Sequence, residues 1–205
     1  MTFSQHLTDC DGSKPAIVSA LNCSIPITIL RAANYSLPWG SSVFAQVVAT
    51  NIYGDSATSN PGNGAIILTI PDAPTSIVEI MALKSGKTIS LSWADGSKDG
   101  GSPVIDYRIS YNSNGTTTYD ILVSSLKVKS YTASALTEGK NYTFVIQSRN
   151  EFDLSQYSTP FTSLAGWRPY QPVAPTTSVI GNQLLVQWSA PFENGSPLIS
   201  YSILI

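Results

Sequence analysis

Apolar and polar residues alternate one by one through the middle of this chain. Thr88-Ile89-Ser90-Leu91-Ser92-Trp93 puts Ile89, Leu91 and Trp93 on one face of an extended segment. Ile105, Tyr107, Ile109 and Tyr111 repeat the alternation, and Tyr142, Phe144 and Ile146 form a third series that ends at Asn150. Between them lie Ala94–Pro103, rich in Asp and Gly, and Asn112–Thr118, both with the chemistry of turns. Helical periodicity is almost absent. The pattern predicts an all-β protein of short antiparallel strands, each burying one face in a sandwich.

The pattern also repeats. Pro71-Asp72-Ala73-Pro74-Thr75 matches Val173-Ala174-Pro175-Thr176, Ile89 to Trp93 matches Leu184 to Trp188, and Gly101-Ser102-Pro103-Val104-Ile105-Asp106-Tyr107 matches Gly195-Ser196-Pro197-Leu198-Ile199-Ser200-Tyr201. A second set, Leu136, Gly139, Tyr142, Phe144, Ile146 and Asn150, matches Leu37, Gly40, Val43, Ala45, Val47 and Asn51 at one constant offset. The order along the chain is therefore back half, front half, back half, front half. Residues 71–170 read as one complete sandwich, residues 1–70 as the C-terminal half of another, and residues 171–205 as the N-terminal half of a third. An isolated half exposes its apolar face and unpaired strand edges, so each half is expected to be completed by a neighbouring repeat, either covalently within one longer chain or by non-covalent pairing of strands. Met1 is expected to lie inside a longer chain.

A Pro-x-x-Pro entry, a Trp on the second strand, Gly-Ser-Pro-x-Ile-x-x-Tyr on the third, and Leu-x-x-Gly-x-x-Tyr-x-Phe followed by Asn together resemble a fibronectin type III domain. The resemblance implies tandem immunoglobulin-like β-sandwiches with split halves at both ends. It implies core positions for Trp93, Tyr107, Leu136, Tyr142, Trp188 and Tyr201, with Tyr142 as a corner tyrosine whose hydroxyl bonds nearby backbone. The first unit departs from the pattern, with Val43 where the corner tyrosine would stand. Its Cys10-Asp11-Gly12-Ser13, Cys23-Ser24-Ile25-Pro26 and Gly62-Asn63-Gly64-Ala65 segments resemble repeats of large surface proteins of ciliates and related protists.

Composition narrows the setting. Hydrophobic residues make up 42% of the 205, enough for packed cores, while charged residues are only 12%, so Ser, Thr, Asn and Gly carry the surface. A net charge of -2 supplies no basic field for nucleic acid or anionic membrane, and no run is long enough to span a bilayer as a helix. Cys10 and Cys23 are close in sequence with Asp11, Gly12 and Pro15 between them, which permits a local disulfide. The alternative is two free thiols, one or both in a core; a two-Cys metal site lacks its other usual ligands. A disulfide would imply an oxidising compartment. Asn22, Asn34, Asn114, Asn141 and Asn194 each head an N-x-S/T acceptor, so N-linked glycans are expected on an extracellular or cell-surface protein. Ordinary turn asparagines are the plainer reading of several of them.

Catalytic chemistry is not visible. His6 is the sole histidine and has no nucleophile beside it in sequence. The Asp95–Gly101 loop lacks the ligand count and closing Glu of a calcium loop, and there is no P-loop, dinucleotide fingerprint or Arg-Gly-Asp tripeptide. Trp39, Trp167 and Tyr170 are candidates for sugar stacking or, more simply, for packing the junctions between units. The expected function is a structural repeat of an extracellular glycoprotein filament, coat or stalk. It has no enzymatic activity or cofactor, and its chief partner is the protein itself, head to tail. The alternative is an adhesion or receptor ectodomain fragment that binds protein or glycan through Asp95–Gly101 and Asn112–Thr118. An accessory module of a larger enzyme and an intracellular scaffold are minor alternatives.

Overall fold

The structure, a computed structural model, describes residues 3–113, 115 and 118–205. In chain order it carries α1 (Pro15–Ala20), α2 (Ile27–Arg31), β1 (Ser42–Val43), β2 (Thr50–Asn51), β3 (Gly54–Asp55), β4 (Ala65–Ile66), β5 (Thr75–Glu79), a 3-10 turn at Met81–Leu83, β6 (Ile89–Ala94), β7 (Asp106–Asn112), β8 (Asp120–Leu126), β9 (Ser130–Ala133), β10 (Asn141–Arg149), β11 (Phe161–Leu164), β12 (Thr176–Ile180) and β13 (Gln183–Gln187).

Two antiparallel sheets make the middle sandwich. One has the order β5-β6-β9, the other β11-β10-β7-β8. The long β7–β10 ladder sets the register, with Ile109 opposite Ile146 and Tyr111 opposite Phe144. In the facing sheet Ile89 stands opposite Ala133. The alternating residues meet between the sheets: Ile89, Leu91, Trp93, Tyr107, Ile109, Leu136, Tyr142, Phe144 and Ile146 form one buried cluster. Ile105 departs from the expected alternation. It precedes β7, its N–H bonds Arg149 O at 2.7 Å, and its side chain stays 49% exposed.

The flanking segments look different. Residues 3–35 hold two short helices that the sequence pattern did not reveal. Helix α1 starts on Pro15, whose missing N–H costs nothing at a helix start, and ends at Leu21 in the left-handed region, whose N–H caps Ile17 O at 2.9 Å. Neither helix exceeds six residues, too short for a periodicity to register. Cys10 and Cys23 are joined by a disulfide across α1, with Cα atoms 5.3 Å apart. The first segment's strands form only two-residue ladders, β1 with β4 and β2 with β3. In the last segment β12 and β13 pair as a hairpin through Gly181 and Asn182, with all five residues of β12 exposed.

Candidate functional site

The clearest local comparison is between two aromatic pairs at repeat-equivalent positions. Trp93 and Tyr107 meet edge to face at 5.4 Å and are 6% and 4% exposed. Trp188 and Tyr201 meet at the same 5.4 Å, yet each is 41% exposed. The core positions expected for Trp188 and Tyr201 are thus not buried within this chain. The reason is physical: the first pair lies in one buried cluster with Ala133 of β9 and Tyr142, Phe144 and Ile146 of β10, and among the described residues the sheet that leads into the second pair holds only β12 and β13. Leu136 and Tyr142 are buried at 8% and 5%. The Tyr142 hydroxyl accepts the Thr137 backbone N–H at 2.9 Å, so a polar tip satisfies backbone where the chain enters β10.

Charged groups of the middle unit hold its loops. Burial pushes the Asp95 carboxyl up, but hydrogen bonds from Lys129 and Tyr107 outweigh it and keep the group below its ordinary value. Lys129 Nζ lies 2.5 Å from Asp95 Oδ2, and the Tyr107 hydroxyl donates to Oδ1. Burial and the neighbouring carboxylate raise the Tyr107 phenol well above the usual range. Within the Asp95–Gly101 loop, Asp99 Oδ1 accepts the Gly101 N–H at 2.9 Å, and Ser97 donates to Asp72 at 2.7 Å. Of the loop's carboxylates, Asp99 is thus engaged within the turn and Asp95 by Lys129 and Tyr107. Among the described residues no three His, Cys, Asp or Glu side chains group as a metal site. His6 bonds Asp9 at 2.7 Å and sits edge-on to Tyr35.

Where the first segment meets the middle unit there is a cleft of about 840 Å3, lined by Arg31, Trp39, Asp95–Gly101 and Lys127. Arg31 lies over the Trp39 ring at 4.1 Å, a cation–π contact. At the second junction Tyr170 packs edge-on against Phe192 at 5.4 Å, and Arg168 lies 5.6 Å over Trp167. The junction aromatics thus contact neighbouring residues of the chain itself.

The sequons divide by accessibility. Asn22, Asn34 and Asn141 are exposed; Asn114 lies outside the described residues. Asn194 is a correction. It is 7% exposed, in the left-handed region, and its amide nitrogen donates to Arg168 O at 3.0 Å, so the junction occupies the atom a glycan would need.

The fibronectin type III domain model matches residues 72–163. The middle unit has the fibronectin type III fold. Its sheet order and buried Trp93 suit that family's sandwich. The chain is 27% identical over 135 residues to protein sidekick-1 of Gallus gallus, covering 62% of this chain and 6% of that protein. It is 27% identical over 189 residues to the M-protein of striated muscle from the same species, covering 87% of this chain and 13% of that protein. It thus spans only a small part of either relative's length. Among solved structures, domains A168–A170 of titin superpose with a TM-score of 0.49 at 22% identity, covering 63% of this chain and 42% of that one. No helix among the described residues is long and apolar enough to cross a membrane.

Proposed function

We propose that this chain is a structural repeat segment of an extracellular or cell-surface array, in which the open half-sandwiches of residues 1–70 and 171–205 are closed by neighbouring repeats. The observation that carries the reading is the contrast between the aromatic pairs. Trp188 and Tyr201 already hold the spacing of Trp93 and Tyr107, and lack only the covering strands. The matching back-half positions in residues 1–70 are what a neighbour would lay over them. Strand addition of this kind supplies backbone bonds along the edge and apolar burial on the face, and head-to-tail contacts that do not close give open filaments. The Cys10–Cys23 disulfide favours an oxidising compartment, and exposed Asn22, Asn34 and Asn141 are the acceptors proposed to carry glycans. The likeness of the first unit to ciliate and protist surface repeats belongs to the same reading. No catalytic role, cofactor or nucleic-acid partner is assigned.

Sedimentation velocity of the 205-residue chain over a wide concentration range tests it. Concentration-dependent growth into linear oligomers is expected. A folded chain that stays monomeric at every concentration overturns non-covalent completion by separate copies, and leaves completion within one longer chain. Glycopeptide mapping on material from the native source tests the compartment; bare asparagines and reduced cysteines would place it elsewhere.

The alternative, an adhesion or receptor ectodomain fragment, draws on the 840 Å3 cleft with its Arg31–Trp39 stack. It predicts that Trp39→Ala abolishes binding to a protein or glycan partner while the middle domain stays folded.

A further inference from the structure

The chain passes from one unit to the next twice, and both passages make the same bonds. At the first, Gly40 N–H donates to Ile67 O at 2.9 Å and Ile67 N–H to Ser41 O at 3.1 Å; at the second, Gly139 donates to Ala165 O and Ala165 to Lys140 O, both at 2.8 Å. The connecting residues then bond the loop between the second and third strands of the next unit. Thr69 donates to Gly100 O at 3.0 Å and Asp72 to Lys98 O at 2.8 Å; Trp167 donates to Asn194 O at 2.8 Å and Tyr170 to Phe192 O at 3.0 Å. Ile67, Thr69 and Asp72 are spaced as Ala165, Trp167 and Tyr170 are, and the acceptors Lys98 and Gly100 as Phe192 and Asn194 are.

Steric fit repeats as well. A Cβ on Gly101 would stand 2.3 Å from Gly40 N; one on Gly195 would stand 2.8 Å from Gly139 N and 2.5 Å from Ala165 O. Both loops place two consecutive residues in the left-handed region, Gly100-Gly101 and Asn194-Gly195, a conformation that suits glycine and, next best, asparagine. Side chains around the two contacts differ: Leu37-Pro38-Trp39-Gly40 faces one, Leu136-Thr137-Glu138-Gly139 the other. What is kept is backbone against backbone.

We infer that consecutive units are held by one repeating dock, in which the Gly101 or Gly195 loop of a unit seats on the Gly40 or Gly139 turn of the unit before it, so that the joint has a fixed orientation. Its partner is the adjacent unit of the same kind. Domains of one chain ordinarily move relative to each other unless something holds them. Here the connecting segment is itself hydrogen-bonded to the next unit, and little free linker remains to flex. The dock acts within a single chain, whether or not copies assemble, and so stands apart from the array reading.

Distance measurements between spin labels on the full chain, disulfide intact, test this. One label pair spans the first joint (Ser56→Cys with Ser124→Cys), another the second (Ser124→Cys with Ser178→Cys). Both distributions are expected to be narrow. Gly101→Val should widen the first and Gly195→Val the second, each by about twofold or more, while Gly62→Ala, which meets only ordinary contacts, changes neither. Amide exchange is followed in β10 and β13. Widening with their protection retained supports the dock. Broad distributions in the unsubstituted chain overturn it, as do unchanged widths in the valine variants. Widening accompanied by loss of β10 or β13 protection also overturns it, because the glycine then serves its own unit's fold.

Discussion

Replacing Trp188 by alanine should weaken the association of copies while leaving the middle domain as stable as before. Trp188 and Trp93 differ in exposure by 35 percentage points, 41% against 6%. An indole side chain buries up to roughly 250 Å2, so closure of the last segment would remove about 90 Å2 of Trp188 from water. At about 25 cal/mol per Å2 that is about 2 kcal/mol, or about thirtyfold in a dissociation constant. Trp93→Ala acts differently. It opens a cavity in a closed core and should cost the middle domain ~3–5 kcal/mol. The assay is sedimentation velocity across a dilution series for each variant, with urea unfolding of the middle domain followed through β10 amide exchange. An unaltered association profile for Trp188→Ala would refute the reasoning. So would a loss of middle-domain stability matching that of Trp93→Ala, since it would mean that the two segments share one core.

Tyr142→Phe should cost about 1 kcal/mol, because the Thr137 N–H loses its acceptor; urea denaturation reads it, and an unchanged midpoint would remove the corner role. Asp95 has a depressed carboxyl value, so its share of stability is present above the ordinary carboxylate range and fades as pH falls through the folded-state value. Asp95→Asn should flatten the acid limb of the melting temperature against pH, and an acid limb identical in both proteins would count against it. Tyr107 is shifted the other way: its contribution is full below the ordinary phenol value and is lost as pH rises beyond it, which Tyr107→Phe should abolish in the same melts. Reducing Cys10–Cys23, 13 residues apart, should destabilise the first segment by up to about 3 kcal/mol without altering exchange in β10. Asn51→Ala should weaken association: its homologue Asn150 donates to Thr69 O and Asp99 O at 2.8 and 2.7 Å, and a neighbouring front half would offer Asn51 the equivalent carbonyls. A sedimentation profile like that of the unsubstituted chain would exclude that bond.

The middle sandwich was legible in the sequence because apolar residues recur at every second position on the inner face of its strands, from Ile89 to Trp93 and from Tyr142 to Ile146, although Ser90 and Val145 on the other face are buried too. Period-two patterning reports burial, and burial is complete there. It reported less where other forces set the structure. The two short helices of residues 3–35 answer to Pro15, the cysteine pair and local capping rather than to an apolar stripe. Ile105 fits the alternation but sits just before its strand begins. Asn194 satisfies a glycan acceptor motif, yet its place in the Asn-Gly turn makes it a structural donor. The dock left a trace that could have been read: Gly40 and Gly139 recur at one offset, and Gly101 and Gly195 recur in the Gly-Ser-Pro motif. A sequence shows that a glycine recurs but not what stands against its missing Cβ, and only the close approach of the two backbones supplies that.

The surface of the last segment bears on how its edge is meant to be used. Proteins that leave a strand edge open usually guard it with lysine, other charges or proline within the strand, because bare N–H and C=O groups invite any extended chain. Between residues 171 and 205 the only charged residue is Glu193, and it lies in the junction loop rather than on β12 or β13. Val179, Ile180, Leu184 and Ile199 are all more than half exposed. Such a hairpin would be an aggregation hazard if solvent were its working environment. The missing guard is intelligible if a specific partner occupies the edge. The repeat order names a fitting partner, a back half bearing the pattern of Val43, Ala45, Val47 and Asn51. Specificity for that neighbour then comes from the face, because the joint at the start of this segment is already made within the chain, where Gly195 seats against Gly139. Trp188→Ala and Gly195→Val should therefore impair different steps, the first the affinity of closure and the second the angle at which the last unit is held on the middle one.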